Sequence, residues 1–212
     1  MNKSRTRIKI CGITRIKDAL SAIDCGVDAL GLVFDEASPR YVSIEQAQDL
    51  VRSLPALVSK VGLFVDASPA EVRNIINKVS LDYLQFHGNE KEAFCTQFSK
   101  PYIKAIRIKP ELDLLEIINK YRSAAGILID TWHPSLAGGT GETFDWTLLN
   151  NLPRKDIPVI ILAGGLDQNN INSAVNLLKP YAVDVSSGVE DSPGIKSPVK
   201  IQNFVNEVNR GE

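Results

Sequence analysis

Short apolar runs rich in isoleucine and valine recur along the chain at residues 7–11, 29–34, 60–65, 82–86, 102–107, 126–130, 158–162 and 182–186. Their length and spacing predict eight strands, buried on both faces as in a parallel sheet. The intervening stretches carry helical periodicity, at residues 17–24, 44–53, 69–79, 90–98, 112–121 and 169–178. Ser43 with Gln46 three residues on, and Ser68 followed by Pro69 and Glu71, mark two of the helix starts. Unbroken alternation of strand and helix leaves a closed barrel or an open doubly wound sheet. A count of eight strands favours the barrel, an α/β fold of the (βα)8 TIM type.

Nothing in the chain divides it. There is no Pro/Gly/Ser-rich linker, no low-complexity tract and no long block of like charge. Residues 1–212 are therefore expected to form a single domain. One local echo fits repeated βα units: Gly31-Leu32-Val33-Phe34-Asp35 and Gly62-Leu63-Phe64-Val65-Asp66 are each followed shortly by Ala-Ser-Pro.

Composition narrows the function classes. With 44% hydrophobic residues, 23% charged residues and a formal net charge of −1, the chain can bury a core and has no general attraction to nucleic acid or an anionic membrane. The basic start is followed by an apolar run too brief for a signal peptide or membrane span, so a cytoplasmic protein is expected. Cys11, Cys25 and Cys95 are widely spaced with no CxxC pair, which argues against a disulfide framework and against a zinc site. No metal is expected. The sequence is silent on oligomeric state, and a monomer is the working expectation.

In a barrel of this kind the active site lies where the strands end and the βα loops begin. The polar residues there are Cys11, Asp35 with Arg40 beyond it, Asp66, Gln85 with His87, Arg107, Asp130, Gly164 with Gly165, and Ser186 with Ser187 and Gly188. The last two groups follow the seventh and eighth strands, where barrels recurrently bind phosphate. Glycine backbone N–H groups and serine hydroxyls there suit an anion, although neither segment contains a lysine or arginine. Cysteine usually packs as a small hydrophobe. Cys11 is set apart from Cys25 and Cys95 by its place at a strand end. Asp130 closes an apolar strand and could cap a turn or, partly desolvated, hold a transferable proton. Arg40, on a loop stiffened by Pro39, suits bidentate recognition of a carboxylate. His87 and Arg107 are weaker candidates.

Alternation adds a geometric expectation, because residues two apart on a strand share a face. Lys9 shares its face with Cys11, and Asp184 with Ser186. Closing the barrel makes the first and eighth strands neighbours. A buried ion pair between Lys9 and Asp184 beneath the site follows.

Several segments together resemble one family, the phosphoribosylanthranilate isomerases of tryptophan biosynthesis. They are Lys9-Ile10-Cys11-Gly12-Ile13-Thr14, Ser38-Pro39-Arg40-Tyr41, Gln85-Phe86-His87-Gly88, Asp130 with Gly138-Gly139-Thr140-Gly141, Phe144-Asp145-Trp146, Leu162-Ala163-Gly164-Gly165-Leu166 and Asp184-Val185-Ser186-Ser187-Gly188-Val189-Glu190. The resemblance implies an Amadori rearrangement of N-(5′-phosphoribosyl)anthranilate to 1-(2-carboxyphenylamino)-1-deoxyribulose 5-phosphate, with no cofactor or metal. It implies Cys11 as general base, Asp130 as general acid, Arg40 as the holder of the anthranilate carboxylate, and the backbones of Gly164, Gly165 and residues 186–188 as the phosphate site. One departure is Ser197, after Pro193-Gly194-Ile195-Lys196, where the family commonly has aspartate. The segment holding Trp132, His133 and Pro134 is not mapped by the resemblance; a surface loop is the default reading and a lid over the substrate the alternative. The related histidine-pathway isomerase resembles this chain but has an aspartate in place of Cys11. A non-catalytic phosphosugar-binding barrel would need neither Cys11 nor Asp130.

Overall fold

The computed structural model describes residues 5–108, 113–130, 149 and 156–212. Eight parallel strands close a barrel in sequence order: β1 (Arg7–Cys11), β2 (Ala29–Val33), β3 (Ser59–Phe64), β4 (Tyr83–Phe86), β5 (Tyr102–Arg107), β6 (Gly126–Asp130), β7 (Val159–Ala163) and β8 (Ala182–Val185). The expected α/β (βα)8 architecture is the one observed. The helices described are α1 (Ile16–Asp24), α2 (Ile44–Ser53), α3 (Pro69–Lys78), α4 (Glu92–Cys95), α5 (Leu114–Asn119), α6 (Ile171–Leu178) and α7 (Pro198–Arg210).

Local chemistry explains where several helices begin. Ser43 and Ser68 each form a complete capping box, with Gln46 and Glu71 returning side-chain hydrogen bonds to the cap N–H at 2.9 and 2.7 Å. The expected helix at residues 90–98 is shorter. It runs as α4 and then a 3-10 turn, Thr96–Phe98, because the Glu90 carboxylate is taken by Lys104 and by the backbone N–H groups of Asp66 and Gly88. Asp113 caps α5 by accepting from the Glu116 N–H, so that helix begins at Leu114 and not at residue 112. The motif residues Gly138 to Gly141, Phe144 to Trp146, and the segment Trp132 to Pro134 lie outside the described residues.

Two layers of apolar packing hold the barrel. Outside it, the helices cover the strands' outward side chains, including Ile8, Ile10, Leu30, Phe64, Leu84, Phe86, Ile127 and Val183. An aromatic cluster centred on Phe86 fills one sector, with Phe64, Phe94, Phe98 and Tyr102 at ring separations of 5.6–6.1 Å. Inside, the layer is made of small and medium residues such as Val61, Ile103, Ala105, Leu128, Ile161, Ala163 and Ala182. Alternation assigns the remaining inward positions. Cys11 follows Lys9, Asp130 follows Leu128, Arg107 follows Ala105, and Ser186 follows Asp184. The inward polar side chains thus gather at the end of the barrel where the strands terminate.

Lys9 and Asp184 are register partners across the β1–β8 seam, and their side chains form the expected ion pair, Nζ to Oδ1 at 2.8 Å, almost wholly buried. β8 is followed by a 3-10 turn, Ser187–Val189, and by a hairpin not anticipated from the sequence, β9 (Glu190–Ser192) and β10 (Ile195–Lys196). Pro193-Gly194 makes its turn, with Gly194 at φ +79°.

Candidate functional site at the strand ends

A cavity of about 350 Å³ opens at the mouth where the strands end. Its wall includes every side chain singled out for proton transfer or anion binding in the described part of the chain: Cys11, Arg40, His87, Asp130, Ser186 and Ser187. Gly164 and Gly165 also line it. Gly188 sits just behind, where a Cβ would collide with the Leu166 carbonyl oxygen, so the loops after β7 and β8 interlock only because this residue is glycine. Gly164 and Gly165 both adopt positive φ, at +85° and +62°.

Cys11 is buried at the end of β1, on the same strand face as the Lys9 ammonium. Burial pushes the thiol pKa up; Lys9 and Lys196 pull it partly back, while Asp184 adds to the rise. Lys9 itself is opposed by burial, but Asp184 and Cys11 hold its pKa above the usual lysine value. Gly31 lies beside this pair, and a Cβ there would come within 2.9 Å of Cys11 Sγ and 3.1 Å of Lys9 Nζ.

Across the cavity Asp130 meets His87, with Oδ2 3.2 Å from Nε2. Gln85 Nε2 lies 3.3 Å from the other ring nitrogen, Nδ1. When the Gln85 amide donates there, neutral His87 carries its hydrogen on Nε2 and donates it to Asp130. His87 lines the cavity, and its Nε2 faces the Asp130 carboxylate. Gln85 Oε1 is buried with no hydrogen-bond partner among the described residues.

Arg40 crosses the end of β1 directly over Gly12, where a Cβ would strike the arginine stem. Gly12 also has φ +76°, so glycine is demanded there twice. The Arg40 guanidinium does hold a carboxylate in bidentate fashion, but that of Glu190: Nε and Nη2 donate to it at 2.8 and 2.7 Å. Glu190 also accepts from Lys196 Nζ at 2.7 Å, and Lys196 in turn donates to the Ser186 carbonyl and hydroxyl oxygens at 3.2 and 3.3 Å. The cradle therefore has a lysine beneath it, supplied by β10. Its position could not be read from the serine-glycine segments themselves. Burial works against both charges of this pair. Hydrogen bonds from Arg40 and Lys196 nevertheless hold the Glu190 pKa below the usual carboxylate value, whereas Lys196, sharing one carboxylate with Arg40, stays below the usual lysine value.

This fold and site define a (βα)8 barrel with a carboxylate, a thiol and a pair of glycine-serine loops facing one cavity. The model of the family described as N-(5′-phosphoribosyl)anthranilate (PRA) isomerase matches residues 8–207, and the chain belongs to that family. Among relatives, the N-(5′-phosphoribosyl)anthranilate isomerase of Pseudomonas fluorescens strain Pf-5 is 50% identical over 204 residues, covering 96% of each chain. The phosphoribosyl anthranilate isomerase structure from Thermotoga maritima is 40% identical, with a TM-score of 0.87 over 96% of this chain and 98% of that one. Another such isomerase, solved with reduced 1-(o-carboxyphenylamino)-1-deoxyribulose 5-phosphate, is 37% identical, with a TM-score of 0.85 and the same coverage.

Among the described residues no cluster of His, Cys, Asp and Glu is arranged to hold a metal ion, and no helix is long and apolar enough to cross a membrane.

Proposed function

We propose that the cavity carries out the family's reaction with Asp130 as general acid and Cys11 as general base. The protein is an isomerase of tryptophan biosynthesis that converts N-(5′-phosphoribosyl)anthranilate to 1-(2-carboxyphenylamino)-1-deoxyribulose 5-phosphate. Asp130 protonates the furanose ring oxygen; the ring C–O bond breaks and the anilino nitrogen's lone pair forms the C=N bond of a Schiff base. Cys11 thiolate then removes the C2′ proton; the C2′–H bond pair forms a C1′=C2′ double bond while the C=N π pair returns to nitrogen, giving an enol whose reprotonation at C1′ yields the ketone. The substrate phosphate rests on the backbones of Gly164, Gly165 and residues 186–188, with Lys196 beneath. Arg40 takes the anthranilate carboxylate. The same reading treats residues 1–212 as one catalytic domain working on a small phosphorylated substrate in the cytoplasm.

The observation that carries this reading is that Cys11 and Asp130 face one cavity beside the glycine-serine cradle. The test follows the fall in anthranilate-type fluorescence as freshly made substrate is consumed by purified protein. Cys11→Ala and Asp130→Asn should each lower kcat by at least about 100-fold, with unchanged far-ultraviolet circular dichroism. A near-normal rate in either folded variant refutes the role of that residue. Arg40→Ala should raise KM, and an unchanged KM speaks against carboxylate binding.

A further inference from the structure

A guanidinium presents two edges that can each grip a carboxylate: the side edge formed by Nε and Nη2, and the end edge formed by Nη1 and Nη2. Glu190 occupies only the side edge of Arg40. Nη1 makes no hydrogen bond to the described residues, and Arg40 lines the cavity with about a quarter of its side chain exposed. The free end edge is thus available to a second carboxylate while the first remains in place.

Glu190 is itself fixed. Its side chain is 4% exposed, its Oε1 accepts from the fully buried Lys196 ammonium, and the same oxygen accepts from the Gly194 N–H at 3.3 Å. Lys196 is anchored at its backbone by Asp18, whose Oδ2 accepts the Lys196 N–H at 3.0 Å, and through its ammonium by Ser186. Two cations around one anion leave one net positive charge facing the site. A flexible arginine would lose rotamer freedom on gripping a ligand. Here that freedom is already gone before any ligand arrives.

We propose that Glu190 is a positioning residue for substrate specificity: it holds Arg40 by one edge so that the other edge is aimed at the anthranilate carboxylate, and through Lys196 it ties this contact to the phosphate cradle. The proposal rests on the reading of Arg40 as the carboxylate site. Glu190 touches Arg40 and Lys196 and acts through them.

Two probes separate the two readings: the reduced product analogue 1-(o-carboxyphenylamino)-1-deoxyribulose 5-phosphate, and the same compound made from aniline, which lacks the carboxyl group. Wild type should prefer the carboxylated probe, and Arg40→Ala should abolish that preference. Glu190→Gln should shrink it by about tenfold, the scale of one charge-assisted hydrogen bond. In the Arg40→Ala background, Glu190→Gln should have no further effect on it. If wild type has no preference, the Arg40 reading fails and Glu190 has no site to position. If wild type and Arg40→Ala behave as stated but Glu190→Gln keeps the full preference, the Glu190 proposal alone is overturned. Should Glu190→Gln fail to fold, Glu190→Gln/Lys196→Met removes both buried charges and takes its place. A measurement on wild type stands independently of every variant: the Arg40 Nε–H should remain protected from solvent exchange with and without the carboxylated probe, and loss of protection on binding overturns the proposal.

Discussion

At the scale of single residues, the site works against the intrinsic preferences of its groups. Burial favours a protonated Cys11, and Lys9 and Lys196 are the charges that partly offset it in favour of the thiolate. Removing a cation that favours the thiolate raises the thiol pKa. Lys9→Met should therefore move the ascending limb of the kcat/KM pH profile to higher pH, measured between about pH 6 and 10 to bracket an ordinary thiol; an unmoved limb would show that another group sets it. Cys11, Asp130 and Arg40 were legible as polar strand ends or loop residues, and the Lys9–Asp184 pair followed from alternation and closure alone. Glu190 and Lys196 were not legible in the same way. Their roles depend on a hairpin folding back beneath the cradle, β9 with β10, which the sequence reading did not anticipate.

At the scale of elements, the strands were legible because their apolar runs are short and regularly spaced, and every strand boundary falls within one residue of expectation. Helix limits followed caps where serine supplied them, as at α2 and α3. They drifted where tertiary contacts claimed the candidate residue, as with Glu90 ahead of α4. Ser197 is an instructive case: it stands at the N-cap of α7, ahead of Pro198, without making a side-chain cap hydrogen bond. An aspartate there can accept from the first-turn N–H groups and complements the helix dipole. Ser197→Asp should stabilise the protein by about 0.5–1 kcal/mol, read as a higher urea midpoint with an unchanged m-value; no shift would mean that the local backbone cannot present the cap.

At the scale of the whole molecule, the barrel is closed by a seam whose register pairs Arg7, Ile8, Lys9 and Ile10 with Ala182, Val183, Asp184 and Val185. The ion pair sits within that seam and below the cavity, so it joins closure to chemistry. Asp184→Leu strands the Lys9 ammonium and should cost about 3–5 kcal/mol in denaturant unfolding. Lys9→Met/Asp184→Leu should recover most of that loss, because a buried pair contributes little over well-packed apolar residues. A single variant as costly as the double would show that the defect is shape and not unpaired charge. The closed topology itself was legible from the count and alternation of elements, whereas the substrate came from the family the chain belongs to.

The crossing of Arg40 over Gly12 also bears on how this barrel could change its specificity over evolutionary time. Position 12 acts as a gatekeeper to which the arginine is hostage: any side chain there displaces the Arg40 stem and, on the role proposed for Arg40, selection for an acidic aromatic amine with it. On that reading, a lineage drifting toward substrates without that acid group could lose the old preference in one mutational step at position 12. The reverse path is narrower, since it requires a bare backbone at 12, an arginine at 40 and a carboxylate at 190 to arise together.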